Sequence, residues 1–217
     1  MGKRLTYYSK GEERLNVISH AVGLILSIVA LVLLVFYAST EGQVAHIVSF
    51  SIYGASLILL YSASTFYHYV QSPRWRRKLN VLDHAAIYVL IAGTYTPFCL
   101  VALKGWIGYT IFGVAWGMAI IGVVFKLFYT GRFDKVSTAA YVIMGWLIIF
   151  AIKPLIESLP TDGLYWLFLG GLSYTVGAVL YSIKRLKYNH AIFHIFVLLG
   201  SFSHFMAVFF YVLPIKN

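Results

Sequence analysis

The sequence predicts an all-α integral membrane protein, a seven-transmembrane helix bundle with its amino terminus in the cytoplasm and its carboxyl terminus outside. Three observations predict it. Of 217 residues, 60% are apolar and only 11% charged, with a mean hydropathy of +0.81. A soluble domain carries about a quarter charged residues, and a disordered chain is poor in apolar ones. The apolar residues fall in runs of about 20, the length of helix that crosses a bilayer. The basic residues fall between alternate runs, which orients the helices.

The spans read at roughly 17–38, 45–70, 79–103, 106–128, 136–159, 164–183 and 190–213, making residues 1–217 a single transmembrane domain. The first run is too long for a signal-peptide core and reads as a span. Continuous runs, not alternating segments of about ten residues, exclude a barrel; closed helices are the other way to satisfy the backbone in lipid. In the third span Pro97, in Thr94-Tyr95-Thr96-Pro97, removes a helix hydrogen bond and predicts a kink. Small residues at Gly54-Ala55-Ser56, Gly113, Gly117, Gly122 and Gly170-Gly171 predict close helix packing.

Of the 17 Lys and Arg residues, 14 lie on one side of the spans. Lys3, Arg4, Lys10 and Arg14 precede the first span; Arg74, Arg76, Arg77 and Lys78 follow the second; Lys126, Arg132 and Lys135 follow the fourth; Lys184, Arg185 and Lys187 follow the sixth. Only Lys104, Lys153 and Lys216 lie on the other side. Basic residues near span ends stay in the cytoplasm, so the +10 net charge reads as a topology signal and needs no nucleic-acid partner. The one cysteine, Cys99, excludes an intrachain disulfide framework and lies toward the outer end of its span.

Ionisable groups within spans are costly and mark function. His68 closes the second span, Asp83 opens the third, and His190 and His194 open the seventh, all at the cytoplasmic end under this topology. Residues four apart share a helix face, so His190 and His194 can hold one ion, with His68 as a third imidazole. Three neutral imidazoles with an open fourth position describe a catalytic Zn2+ site. Asp83 either fills that position or hydrogen-bonds the metal's water, and Ser64, one turn before His68, can donate to an oxyanion or orient the water. Asn16 and His20, also four apart, read either as a support that fixes the site's geometry or as an interfacial cap on the first helix, together with Glu12 and Glu13. His84 is expected to point away from Asp83, His204 to be a hydrogen-bonded core histidine, and His46 to be solvated outside. His190 is followed by Ala191, so the Glu of the His-Glu-x-x-His motif of a zincin protease is missing.

The set Glu13-x2-Asn16-x3-His20, Ser64-x3-His68, Asp83 and His190-x3-His194, in this order on helices one, two, three and seven, resembles the progestin and adipoQ receptor family, and more narrowly its bacterial hemolysin III branch. The similarity covers essentially the whole chain. The superfamily, which includes the alkaline ceramidases, implies a seven-helix bundle with a cytoplasmic amino terminus, a multi-pass protein of the bacterial plasma membrane. It implies zinc on His68, His190 and His194, a water near Asp83 and Ser64, and hydrolysis of an amide or ester bond in a membrane lipid. The branch name also implies cytolysis, but a chain with seven permanent spans cannot travel as a soluble toxin and has no amphipathic segment to insert on contact. Two further classes remain beside the hydrolase: a receptor-like or membrane-homeostasis protein with structural zinc, and a pore or proton-coupled transporter. The sequence sets neither the lipid nor the oligomeric state.

Overall fold

Among the described residues the long apolar runs become eight α-helices that make seven spans. The structure, a computed structural model, describes residues 7–103 and 105–212. Lys3, Arg4, Lys104 and Lys216 of the charge count, and the last residue of the seventh span, Leu213, lie outside the described residues. The helices are α1 (Lys10–Glu41), α2 (Val44–Tyr69), α3 (Pro73–Pro97), α4 (Trp106–Tyr129), α5 (Asp134–Gly145), α6 (Ile152–Ser158), α7 (Thr161–Ser182) and α8 (Asn189–Ala207). Seven stretches are long and apolar enough to cross a membrane, the fifth being the composite Lys135–Ser158.

Helix ends differ from the sequence reading because helices continue past the hydrocarbon. The α1 helix starts at Lys10, capped by the Ser9 hydroxyl, which accepts from the Glu12 N–H at 3.3 Å. Pro73 occupies the first turn of α3, where its missing N–H costs nothing. The basic cluster Arg74–Lys78 is therefore helical, six residues earlier than the apolar run begins.

Two spans depart from regular α-helix. After Pro97 the backbone widens into a π-helical turn, Phe98–Ala102, closed by the Leu103 N–H donating to Phe98 O at 2.7 Å; a local π adjustment is one way a membrane helix absorbs proline. The fifth span is broken, with α5 giving way at Trp146 to a 3-10 stretch, Leu147–Ala151, before α6. Tyr95 on α3 services this break. Its hydroxyl lies 2.8 Å from Gly145 O and 3.1 Å from Met144 O as donor, and accepts from the Ile148 N–H at 3.0 Å.

Small residues set several helix contacts. A Cβ on Gly54 would stand 2.6 Å from Leu31, one on Gly122 2.5 Å from the Tyr88 ring, and one on Gly23 2.5 Å from the Tyr61 ring. Gly113 and Gly117 are the exception to the expected pattern. Nothing lies within 4 Å of a Cβ at either, so they face away from the neighbouring helices.

Candidate metal centre

The end of the bundle that carries most of the basic residues also holds a buried cluster of imidazoles. His190 and His194 project from the first turns of α8, and His68 from the last turn of α2. All three are buried. The Nε2 atoms of His68 and His194 each lie 3.1 Å from His190 Nε2, and one nitrogen from each ring falls within 4.8 Å of the other two. Tetrahedral zinc with bonds of roughly 2.05 Å has ligand–ligand edges of about 3.3 Å, so this nitrogen spacing fits one ion. The donor set suits a transition-metal ion, because imidazole binds zinc, copper, iron and nickel.

The outward nitrogens are held from α1. His68 Nδ1 lies 2.7 Å from Glu13 Oε2, and the Asn16 amide is 3.4 Å from the same nitrogen. Ser19 Oγ is 3.4 Å from His194 Nδ1, and the His20 ring stacks on His194 with centroids 3.5 Å apart. Asn16 and His20 thus both touch imidazoles of this cluster, one by its amide and the other by its ring face. Neither ring nitrogen of His20 has a hydrogen-bond partner among the described residues.

The α8 helix enters the site through Tyr188, whose left-handed conformation (φ 58°) turns the chain into the first helical residues. The freed His190 N–H donates to Glu12 Oε1 at 3.3 Å, a carboxylate at a helix amino terminus. Tyr8, just before α1, stacks on His190 at 4.6 Å, and burial pushes its hydroxyl pKa upward, so it stays neutral.

Ser64 on α2 and Asp83 on α3 border the cluster through a shared cavity, and Asp83 is not among the residues whose ligand atoms gather within 4.8 Å. Together with His190 and His194 they line a cavity of about 150 Å³ that continues to Trp146 and His204. Ser64 Oγ is buried with no hydrogen-bond partner among the described residues. Asp83 is buried, and its Oδ2 lies 3.7 Å from His84 Nδ1. His84 therefore does not point away from Asp83 as its neighbouring position suggested. It lines the cavity too, and Nδ1 is 2.8 Å from Asn80 O.

Two other histidines sort out differently. His204 is a core histidine bonded through Nε2 to Leu167 O at 3.1 Å, as its depth suggested. His46 is buried, not solvated: it caps α2, its Nδ1 accepting the Gln43 N–H at 3.1 Å, and its ring meets Phe50 edge-on. Residues not assigned a contact from sequence are Arg76, Ser19 and Tyr8. Arg76 was counted only as a topology charge. Ser19 sits three residues after Asn16, a spacing that places it near the same face; nothing in the sequence singles out Tyr8.

A family model described as haemolysin-III related matches residues 8–205, which include the entire imidazole cluster. The chain belongs to the haemolysin-III related family. It is 49% identical over 211 residues to Hemolysin-3 of Bacillus cereus, covering 97% of this chain and 96% of that protein. It is 48% identical over 200 residues to the Hemolysin-3 homolog of Bacillus subtilis (strain 168), covering 92% and 94%. The monocyte to macrophage differentiation factor of Homo sapiens is more distant, 29% identical over 170 residues, covering 74% of this chain and 68% of that protein. No solved structure matches the chain. The resemblance drawn from the spaced polar residues is thereby borne out at the level of the family. The bacterial relatives and the seven apolar spans make this haemolysin-III related chain a multi-pass membrane protein, consistent with the plasma membrane.

Proposed function

We propose that the protein is a zinc-dependent membrane hydrolase that cleaves an amide or ester bond of a lipid. The observation that carries this reading is the convergence of three buried imidazole nitrogens within 4.8 Å of one another, two of the pairs at 3.1 Å, beside a cavity lined by Asp83 and Ser64. His68, His190 and His194 would hold the ion and leave a position open for chemistry. A zinc ion so held supplies Lewis acidity and lowers the pKa of water.

The remaining work falls to the chain's own side chains. Asp83 accepts a proton from the attacking water at a carboxylate oxygen and returns it to the leaving group. The Ser64 hydroxyl, which has no hydrogen-bond partner among the described residues, donates to the carbonyl oxygen as negative charge develops there. Residues such as Ile91 and Val197, farther along the same cavity, accept the apolar part of the lipid and exclude water. On the charge distribution, the site faces the cytoplasmic leaflet.

Metal analysis of the purified full-length protein in detergent tests the reading. Near-stoichiometric zinc, lost in His68→Ala and His194→Ala, supports it; a metal-free, well-folded wild type overturns it. Asp83→Asn is expected to keep the zinc and the fold while turnover of an N-acyl lipid or lipid ester falls at least 100-fold. Zinc present with no turnover in the wild type favours the receptor-like reading, in which the ion ties α2 to α8.

A further inference from the structure

We infer that Glu13, held in place by Arg76, is the positioning residue that sets the ring orientation and tautomer of His68 for metal binding. The inference rests on the reading that the three imidazoles hold a metal, and it concerns what prepares one of them.

Glu13 bridges two partners with its two carboxylate oxygens. Oε2 lies 2.7 Å from His68 Nδ1, while Oε1 pairs with the Arg76 guanidinium and accepts the Tyr8 N–H at 3.2 Å. A carboxylate can only accept, so the proton between Glu13 and His68 sits on Nδ1. That leaves the Nε2 lone pair directed at His190 and His194. Carboxylate–histidine–metal arrangements of this kind fix ring orientation and raise ligand basicity.

The other two imidazoles have no carboxylate on their rings among the described residues. His194 is served by neutral groups, the Ser19 hydroxyl at 3.4 Å from Nδ1 and the Asn16 main chain, and His190 Nδ1 has no hydrogen-bond partner among the described residues. Among the described residues His68 is the one ligand candidate held by a charged group.

Arg76 is placed to keep Glu13 where it is. Its side chain is fully buried. Nη1 donates to Tyr67 O and Val70 O, both at 3.3 Å, at the carboxyl end of α2, where a cation is favoured. Its guanidinium lies over the Tyr7 and Tyr67 rings at 4.4 and 4.8 Å. A buried guanidinium this near a site for a dication is tolerable because the carboxylate stands between them. Glu13 from α1, His68 from α2 and Arg76 from α3 thereby form one unit, and the site is complete only when those three helices are docked.

The test uses full-length protein in detergent, with zinc affinity measured against a chromophoric chelator and histidine tautomers read by 15N NMR on the metal-free protein. Glu13→Leu removes both charge and acceptor and is expected to weaken zinc binding about 10–100-fold and to abolish the Nδ1-protonated signature of His68. Glu13→Gln keeps a polar group able to face Nδ1 in either sense, so it is expected to give mixed tautomers and an intermediate loss. A folded Glu13→Leu that binds zinc like the wild type, with the tautomer unchanged, overturns the inference. Should Glu13→Leu fail to fold, Glu13→Gln with unaltered affinity and tautomer overturns it equally. A wild type that binds no zinc overturns the proposed hydrolase instead, and the tautomer comparison still decides the role of Glu13.

Discussion

Arg76 and Arg77 are neighbours in a run of four basic residues, yet they do different work. Arg77 is exposed, whereas Arg76 is buried against Glu13, Tyr67 and Val70. Breaking a buried pair leaves an uncompensated charge and costs about 3–5 kcal/mol, while an exposed charge is worth little. Arg76→Leu should therefore lower the thermal midpoint in detergent sharply and Arg77→Leu scarcely at all. An equal, small shift in both would contradict the buried pairing. The sequence showed that His190 and His194 share a face, because a spacing of four is a property of one helix. It could not show that Glu13 rather than Asn16 makes the short contact to His68, since that depends on how α1 and α2 cross.

At the scale of elements, the break in the fifth span depends on one hydroxyl from the third. Tyr95→Phe keeps the ring but leaves the Ile148 N–H without its acceptor and Gly145 O without its donor. An unsatisfied buried group costs about 1–3 kcal/mol, so the variant should unfold several degrees earlier. Close packing makes a second, opposed pair. Gly23→Ala would push a methyl to 2.5 Å from the Tyr61 ring and 2.8 Å from Leu198, an overpacking that costs about 1–3 kcal/mol. Gly117→Ala, with open space around it, should be neutral or slightly stabilising. Thermal unfolding of the two variants side by side separates a packing glycine from a tolerated one. Pro154, beside Lys153 within 136–159, is a local signal that the helix is interrupted, but the mean hydropathy of the run hid the break because hydropathy reports what a segment is made of, not which carbonyls its backbone loses. Gly113 and Gly117 looked like packing glycines for the same reason.

At the scale of the molecule, metal binding and folding should be coupled, because the three imidazoles come from α2 and α8, helices far apart in the chain. A ligand that binds only the folded state at 100 times its Kd adds about 2.7 kcal/mol. Stripping zinc with a strong chelator should then lower the thermal midpoint of the wild type and leave that of His194→Ala unmoved. Orientation is open to direct measurement as well. Cys99 is buried, so single cysteines placed at exposed Lys184 and Trp106 report their own sides. A membrane-impermeant thiol reagent applied to intact cells should label Trp106→Cys and spare Lys184→Cys; the reverse pattern would invert the topology.

The number of spans, their approximate places and the clustering of polar residues at one end were determined by the sequence itself. Each follows from a local property: the length of an apolar run, the side on which charges fall, the spacing of residues along one helix. The family followed from the same polar residues taken in order. Tertiary structure alone decided which groups meet. It brought one nitrogen of each of three imidazoles within 4.8 Å of the others and placed Glu13 between His68 and Arg76. It turned His84 toward Asp83 and opened the fifth span beneath Tyr95. Those outcomes depend on how helices cross and rotate against one another, and that is set by close-packed contacts between distant segments, which no window along the chain contains.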